Sequence, residues 1–220
     1  VIDDGDKRGV FFNVHHIISD ATSSTIMESD LRDALDGNLD DSIDLGFLRA
    51  SRDSFESQFD PAYESAHEFF SEKLVDIEET NGLLADIDGS ASVISLPIHG
   101  VRSHVEEFAG DLGITVGTFL NAVFAYTYSR FVGSDKVYYN FTEHGRHEEY
   151  SQNVVGMFIR TIPLLVDCKN DSIENYLKNF SELSLDSMLN SVYPFRLLAR
   201  EFDLSNDVSF EYNYDLNDVS

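Results

Sequence analysis

Residues 13–24 read NVHHIISDATSS, and this stretch decides how the rest of the chain is interpreted. It overlaps residues 9–14 (GVFFNV), whose aromatic and branched side chains predict a buried strand. Successive side chains of a regular strand point to opposite faces, so His15 and His16 cannot both reach one reacting atom. Imidazole titrates near neutral pH and suits proton transfer, and Asp20 is close enough in sequence to orient the loop. Taken alone, these residues fit equally well a packed histidine pair followed by a helix cap at Asp20.

The composition excludes several classes of protein. Asp and Glu number 40 against 15 Lys and Arg, a formal charge of −25 that argues against nucleic acid as a partner. No stretch approaches the roughly 18 consecutive apolar residues of a membrane span, and no signal-peptide pattern opens the chain. A single cysteine, Cys168, cannot form an internal disulfide. We expect a cytoplasmic protein without membrane contact, and, because a strand pattern starts so early, a chain that begins inside a longer one.

The order of predicted elements favours a mixed-sheet α/β sandwich over a barrel, because strand and helix patterns alternate irregularly. The acidic residues 36–44 are interpreted as a linker. Asp60 and Pro61 form a typical helix start, a cap followed by the first helical position. Helices are predicted at 22–35, 61–77, 99–112, 116–131 and 172–189, and strands at 136–142, 161–167 and 208–214.

Several segments together resemble one family. Residues 15–23 (HHIISDATS) are similar to the His-His-x-x-x-Asp-Gly signature of condensation domains of non-ribosomal peptide synthetases. Further motifs of that family follow in its order, at residues 60–74, 119–133, 137–146 (VYYNFTEHGR), 155–163 (VGMFIRTIP) and 193–195 (YPF, before a helix). Agreement over most of the chain is far more specific than the histidine segment alone.

The resemblance implies a two-lobed mixed-sheet sandwich like chloramphenicol acetyltransferase, with the catalytic histidine in a tunnel between the lobes. Family domains are about twice this length, so the chain is expected to be a fragment that lacks most of the N-terminal lobe. Residues 1–45 would be the end of that lobe and residues 46–220 most of the C-terminal lobe. These residues alone are then not expected to form the whole tunnel.

The resemblance also implies an acyltransferase that forms amide bonds. A carrier-bound aminoacyl amine would attack a carrier-bound acyl or peptidyl thioester. The expected partners are donor and acceptor peptidyl carrier domains, whose phosphopantetheine arms hold the substrates, and an adjacent adenylation domain. The domain itself is expected to bind no cofactor and no metal.

The family's motifs assign candidate site residues. His16 is expected to contact the attacking amine as general base or hydrogen-bond acceptor, with His15 beside it in the signature. Asp20 is expected to form a structural ion pair, for which Arg146 is the candidate partner. The alternative for Arg146 is a solvated charge near the acidic residues 148–149.

Two positions depart from the family pattern and bear on substrate choice and activity. Ala21 stands where Gly usually follows the aspartate, and could narrow the space beside the histidine. Arg160 stands where the family has Asn, which would place a cation near the tunnel instead of a neutral amide.

Other functions remain open at this point. Epimerisation domains share the histidine signature, and residues 143–146 (EHGR) partly match their Gly-His-Gly-Arg segment. An acyltransferase acting on a free amine and a non-catalytic module that docks carriers are further alternatives. A zinc site is a hypothesis of a different class, and its ligands would come from His15, His16, Asp20, His144 and His147.

Overall fold

The computed structural model describes residues 2–3, 5, 8–38, 42, 45–77, 92–97, 99–169 and 172–212. They belong to two compact units. The motif unit comprises Val1–Glu56 and His144–Ile159, and the sheet unit comprises Ser57–Glu143 and Arg160–Ser220. The predicted boundary at residue 45 concerns the lobes of a complete domain and stays a prediction.

The motif unit begins with a short hairpin-like pair. Strand β1 (Ile2–Asp3) pairs antiparallel with β2 (Arg8–Gly9). A 3-10 turn at His16–Ile18 then leads into helix α1 (Ala21–Leu35), and helix α2 (Gly46–Glu56) follows. The second segment of this unit contributes a 3-10 turn at Glu149–Ser151.

The prediction of a buried strand at residues 9–14 is wrong. Only Arg8–Gly9 is paired, and Val10, Phe11 and Phe12 are exposed. An extended segment becomes a strand only where a neighbour exchanges backbone hydrogen bonds with it, and among the described residues that pairing covers Arg8–Gly9. Helix α2 was not predicted, although its apolar residues cluster on one side of the helix.

The helices of the sheet unit agree with their sequence signals. Helix α3 (Pro61–Lys73) starts with Asp60 as its cap, whose side chain accepts a hydrogen bond from Ala62 N–H. Helix α5 (Val116–Val132) ends at Gly133, which adopts φ 68°, a conformation that glycine reaches without steric cost. The other helices are α4 (Arg102–Asp111), α6 (Ile173–Leu189) and α7 (Phe195–Glu201), the last of which begins at the Phe of the YPF motif.

The sheet of this unit has the order β4-β3-β5. Strand β3 (Lys136–Glu143) pairs antiparallel with β4 (Arg160–Asp167) along its whole length and parallel with the short β5 (Ser209–Phe210). One face carries the core, formed by alternate residues of β3 and β4 together with side chains of α3, α5, α6 and α7. Buried sheet residues include Val137, Tyr139, Phe141, Ile162, Leu164 and Val166.

The predicted mixed sheet is therefore confirmed, as are the helices and the two long strands, each to within a few residues. Within the sheet unit, prediction and structure disagree most at residues 208–214, where only Ser209–Phe210 is paired and residues 213–214 lie outside the described residues. Of the predicted linker 36–44, residues 39–41, 43 and 44 also lie outside them.

No single helix in the described ranges has the length and apolar composition to cross a membrane. Helices α4 and α5 meet the length and composition test only as a pair, bent by 97°.

Candidate functional site

Asp20 organises the start of helix α1. It is the N-cap residue, and its Oδ1 accepts hydrogen bonds from the backbone N–H and the hydroxyl of Ser23, both at 2.8 Å. Its Oδ2 accepts the backbone N–H of Phe158 at 3.2 Å. Only 4% of Asp20 is exposed. The cap expected from the sequence is thus also a connection to the second segment of the motif unit.

Arg146 is the charged partner of Asp20. Its Nη2 lies 2.9 Å from Oδ1 and 3.0 Å from Oδ2 of the carboxylate. Its Nη1 donates to the carbonyl oxygens of Ser151 at 2.5 Å and Val154 at 2.8 Å, and its guanidinium lies 4.3 Å from the ring centroid of Phe158. Arg146 is 3% exposed, which rules out the alternative of a solvated surface charge.

Burial and hydrogen bonding act in opposite directions on the Asp20 carboxyl. Desolvation raises its pKa, because an ion is costly to remove from water. The hydrogen bonds from Ser23, Arg146 and Phe158 favour the carboxylate and together outweigh that effect. The pKa of Asp20 therefore lies below its ordinary value, and the carboxylate is charged at neutral pH.

The turn between the histidine pair and Asp20 holds each imidazole by its Nδ1. His16 Nδ1 lies 2.7 Å from the carbonyl oxygen of Ser19, and His15 Nδ1 lies 3.1 Å from the backbone N of Ile17. A carbonyl oxygen only accepts and a backbone N–H only donates, so the two rings have opposite roles. Neutral His16 carries its proton on Nδ1 and has a lone pair on Nε2, whereas neutral His15 carries its proton on Nε2.

This difference gives the two adjacent histidines distinct hydrogen-bonding roles. Both residues are exposed within the chain, so neither ring is packed in the core. Only His16 presents an unprotonated Nε2 that can accept a proton from a reacting group. His15 presents an N–H donor instead.

The remaining candidate residues are placed as follows. Ala21 is the first residue of α1 and is exposed. Arg160 belongs to the sheet unit, where it begins β4 opposite Glu143 and donates from Nη1 to Ser191 Oγ at 3.0 Å. The rings of His144 and His147 lie 5.4 Å apart, and His144 Nδ1 accepts the backbone N–H of Arg146.

The zinc hypothesis finds no ligand set in the part of the chain that the structure describes. No three or more His, Cys, Asp or Glu side chains are grouped there as a metal site would need. The histidines of the signature are each engaged by backbone groups of their own turn.

Sequence reasoning did not assign a role to two residues that complete this network. Ser23 is completely buried, and its hydroxyl contacts the backbone of Gly156 as well as Asp20. A Cβ on Gly156 would lie 2.6 Å from the Phe47 ring, so this backbone approaches its neighbours more closely than other residues allow. The spacing Asp-x-x-Ser and the glycine of VGMF can be read from the sequence, but neither identifies the residue that it contacts in the folded chain.

Comparisons with known proteins agree on one family. A family model described as Condensation domain matches residues 4–220. Surfactin synthase subunit 1 of Bacillus subtilis (strain 168) is 24% identical over 217 residues, which cover 92% of this chain and 6% of that protein. Bacitracin synthase 1 of Bacillus licheniformis is 24% identical over 223 residues, which cover 91% of this chain and 4% of that protein.

Solved structures show the same fold. The first condensation domain of the calcium-dependent antibiotic synthetase, in complex with a substrate analogue, superposes with a TM-score of 0.74 at 21% identity. The match covers 91% of this chain and 49% of that one, so the chain spans about half of that solved structure. The likeness confirms the predicted mixed α/β, chloramphenicol acetyltransferase-like fold.

Proposed function

The chain belongs to the condensation domain family of non-ribosomal peptide synthetases, and from this premise we propose that it takes part in amide bond formation between carrier-bound substrates. The amine of a carrier-bound aminoacyl group attacks the carbonyl carbon of a carrier-bound acyl or peptidyl thioester. A C–N bond forms and the C–S bond breaks. The amine loses one proton, and the departing thiolate ends as a thiol.

One observation carries this proposal, the contact of 2.7 Å between His16 Nδ1 and the carbonyl oxygen of Ser19. His16 Nδ1 donates to Ser19 O, so the Nε2 lone pair of the neutral ring can accept a proton or a hydrogen bond from the attacking amine. The same Nε2–H can then return the proton to the departing sulfur. Asp20 does not touch substrate in this scheme, because its oxygens are occupied by Arg146, Ser23 and Phe158.

The proposal includes partners and context. The substrates are held on phosphopantetheine arms of donor and acceptor carrier domains, next to an adenylation domain, in the cytoplasm. The tunnel requires both lobes of a complete domain, with residues 1–45 assigned to the end of the N-terminal lobe and residues 46–220 to the C-terminal lobe. The names of two relatives, surfactin synthase subunit 1 and bacitracin synthase 1, support this context.

The test is a peptide-bond assay on the complete domain with carrier-bound donor and acceptor, comparing His16→Ala with His15→Ala. A thioester is already activated, and proximity supplies much of the acceleration. We therefore expect His16→Ala to lower kcat by about 10²–10⁴-fold without abolishing turnover. The matched control His15→Ala removes an imidazole from the same turn and is expected to change kcat far less.

Two outcomes would contradict the proposal. Equal losses in the two variants would mean that the Nε2 lone pair of His16 has no special role. Scrambling of the stereocentre of a carrier-bound aminoacyl thioester, with no second substrate present, would instead identify an epimerisation activity.

A further inference from the structure

Ser23 makes more contacts through its hydroxyl than capping of α1 requires. The cap itself is formed by Asp20 Oδ1 and the backbone N–H of Ser23. The hydroxyl lies 2.8 Å from Asp20 Oδ1, 2.9 Å from Gly156 O and 3.0 Å from Gly156 N, and Arg146 Nη2 lies 3.2 Å away. Ser23 has no exposed surface. Its oxygen is therefore enclosed by polar groups of both segments of the motif unit.

The hydrogen-bonding capacity of this hydroxyl is fully used. A serine hydroxyl donates once and accepts twice. The two acceptor positions take the N–H of Gly156 and Arg146 Nη2, and the proton goes to Asp20 Oδ1 or to Gly156 O. Because the site has no exposed surface, water cannot replace a hydrogen-bond partner that is lost. Removal of the oxygen would leave a buried N–H of Gly156 without its acceptor.

The same network reaches His16 through one peptide unit. Ser19, whose carbonyl accepts the His16 Nδ1 proton, is bonded directly to Asp20 and is itself buried. Asp20 is held by Ser23, Arg146 and Phe158. The direction of the Ser19 carbonyl is thus coupled to the position of Asp20, and that position depends on the Ser23 hydroxyl.

We infer that Ser23 is a positioning residue for His16: its hydroxyl locks Asp20 against Gly156, and this keeps the Ser19 carbonyl aimed at His16 Nδ1. The expected effect on turnover rests on the proposed function, whereas the expected effect on the tautomer of His16 does not. Without the hydroxyl, the imidazole loses its preference for the Nδ1-protonated tautomer. A smaller fraction of molecules then presents the Nε2 lone pair.

The experiment uses the full chain labelled with ¹⁵N-histidine, with His16→Ala used to assign the His16 signals. In the parent chain we expect separate ring signals, one typical of a protonated Nδ1 and one of an unprotonated Nε2. In Ser23→Ala the two signals should move towards each other as the tautomers mix. Ser24→Ala is the matched control on the same helical turn, since Ser24 Oγ makes a long contact of 3.5 Å with Asp20 O.

Turnover supplies the second readout, in the complete domain. We expect Ser23→Ala to lower kcat on the order of ten- to hundredfold with little change in KM, because misplacement of a reacting group acts on the chemical step. Ser129→Ala removes an equally buried hydroxyl from α5 and controls for a general loss of stability. If Ser23→Ala does not fold, Ser23→Cys retains the volume with a weaker donor and acceptor and should show the same changes in smaller degree.

Each outcome has one meaning. Unchanged ring signals of His16 in Ser23→Ala and Ser23→Cys would overturn the inference, even if kcat fell. Mixed tautomers with unchanged kcat would support the positioning role and contradict the proposed role of His16 in catalysis. Mixed tautomers in Ser24→Ala as well would also overturn the inference, since the effect would not be specific to the buried hydroxyl.

Discussion

The interiors of the two units are built from opposite kinds of side chain. The interior of the sheet unit is formed mainly by aliphatic and aromatic residues, such as Tyr139, Ile162 and Leu164 of the sheet. In the described part of the motif unit, Val154 is the one buried apolar side chain, and the other buried side chains are Ser19, Asp20, Ser23, Arg146 and Ser151. Large apolar residues of that unit, such as Phe11 and Ile17, are exposed at 70% and 72%.

This contrast explains what each unit tolerates. Apolar burial is non-directional and roughly proportional to area, so a core of that kind accepts changes of similar volume. A buried ion pair needs every partner in place, because a single loss leaves an uncompensated charge. Such a network also fixes the directions in which its donors and acceptors point. An imidazole keeps one tautomer only when its hydrogen-bond partner is fixed in this way.

The largest expected effect is at the centre of the polar network. Asp20→Ala leaves the guanidinium of Arg146 buried without its carboxylate, so we expect a loss of about 3–5 kcal/mol in the free energy of unfolding. The measurement is urea denaturation of the parent chain and the variant.

The control is a second aspartate with the same local role. Asp60 caps α3 but is exposed, and Asp60→Ala should cost only about 1 kcal/mol. Similar losses in the two variants would show that Asp20 acts as a cap alone and that the ion pair adds nothing.

The next prediction is that pH changes the stability contributed by the polar network but not that contributed by the apolar core. Because the pKa of Asp20 is lowered on folding, its contribution to stability is present above the unfolded value of about 4 and is lost as pH falls through the lower folded value. The stability difference between the parent chain and Asp20→Asn should therefore be constant from pH ~7 to pH ~5 and shrink below pH ~4.

A variant of the apolar core checks that this dependence is specific. Leu164 carries no ionisable group. Leu164→Ala should lower the free energy of unfolding by about 2–5 kcal/mol, and this loss should stay the same over the same pH series. A stability difference for Asp20→Asn that is equally flat down to pH ~3 would contradict the lowered pKa.

The smallest effect is expected at an exposed aromatic residue of the motif unit. Phe11→Ala removes a ring that is already in contact with solvent, so the free energy of unfolding should change by no more than about 0.5 kcal/mol. Phe70→Ala, the matched change in the core of the sheet unit, should cost about 3–5 kcal/mol in the same urea titration. A large loss at Phe11 would remove the contrast between the two units.

Local signals in the sequence predicted most of the elements. Asp60-Pro61 and Gly133 mark helix ends through their own backbone preferences, and the run of apolar residues within 161–167 marks a strand. The failure at residues 9–14 has the same origin, because an apolar segment predicts burial without saying whether a partner strand is present.

By itself, the sequence determined the family, the order of helices and strands, and the set of residues around which the site is built, since all of these depend on local pattern and on motifs in a fixed order. Only the tertiary structure decided that Ser23 and Gly156 join Asp20 and Arg146, and that two adjacent histidines carry their protons on different nitrogens. The first of these facts depends on which donor meets which acceptor across more than a hundred residues of chain, as between Ser23 and Gly156, 133 positions apart. The second depends on how the backbone of the turn after the histidines folds back on each ring. A sequence pattern identifies the chemical groups but gives no distances between them.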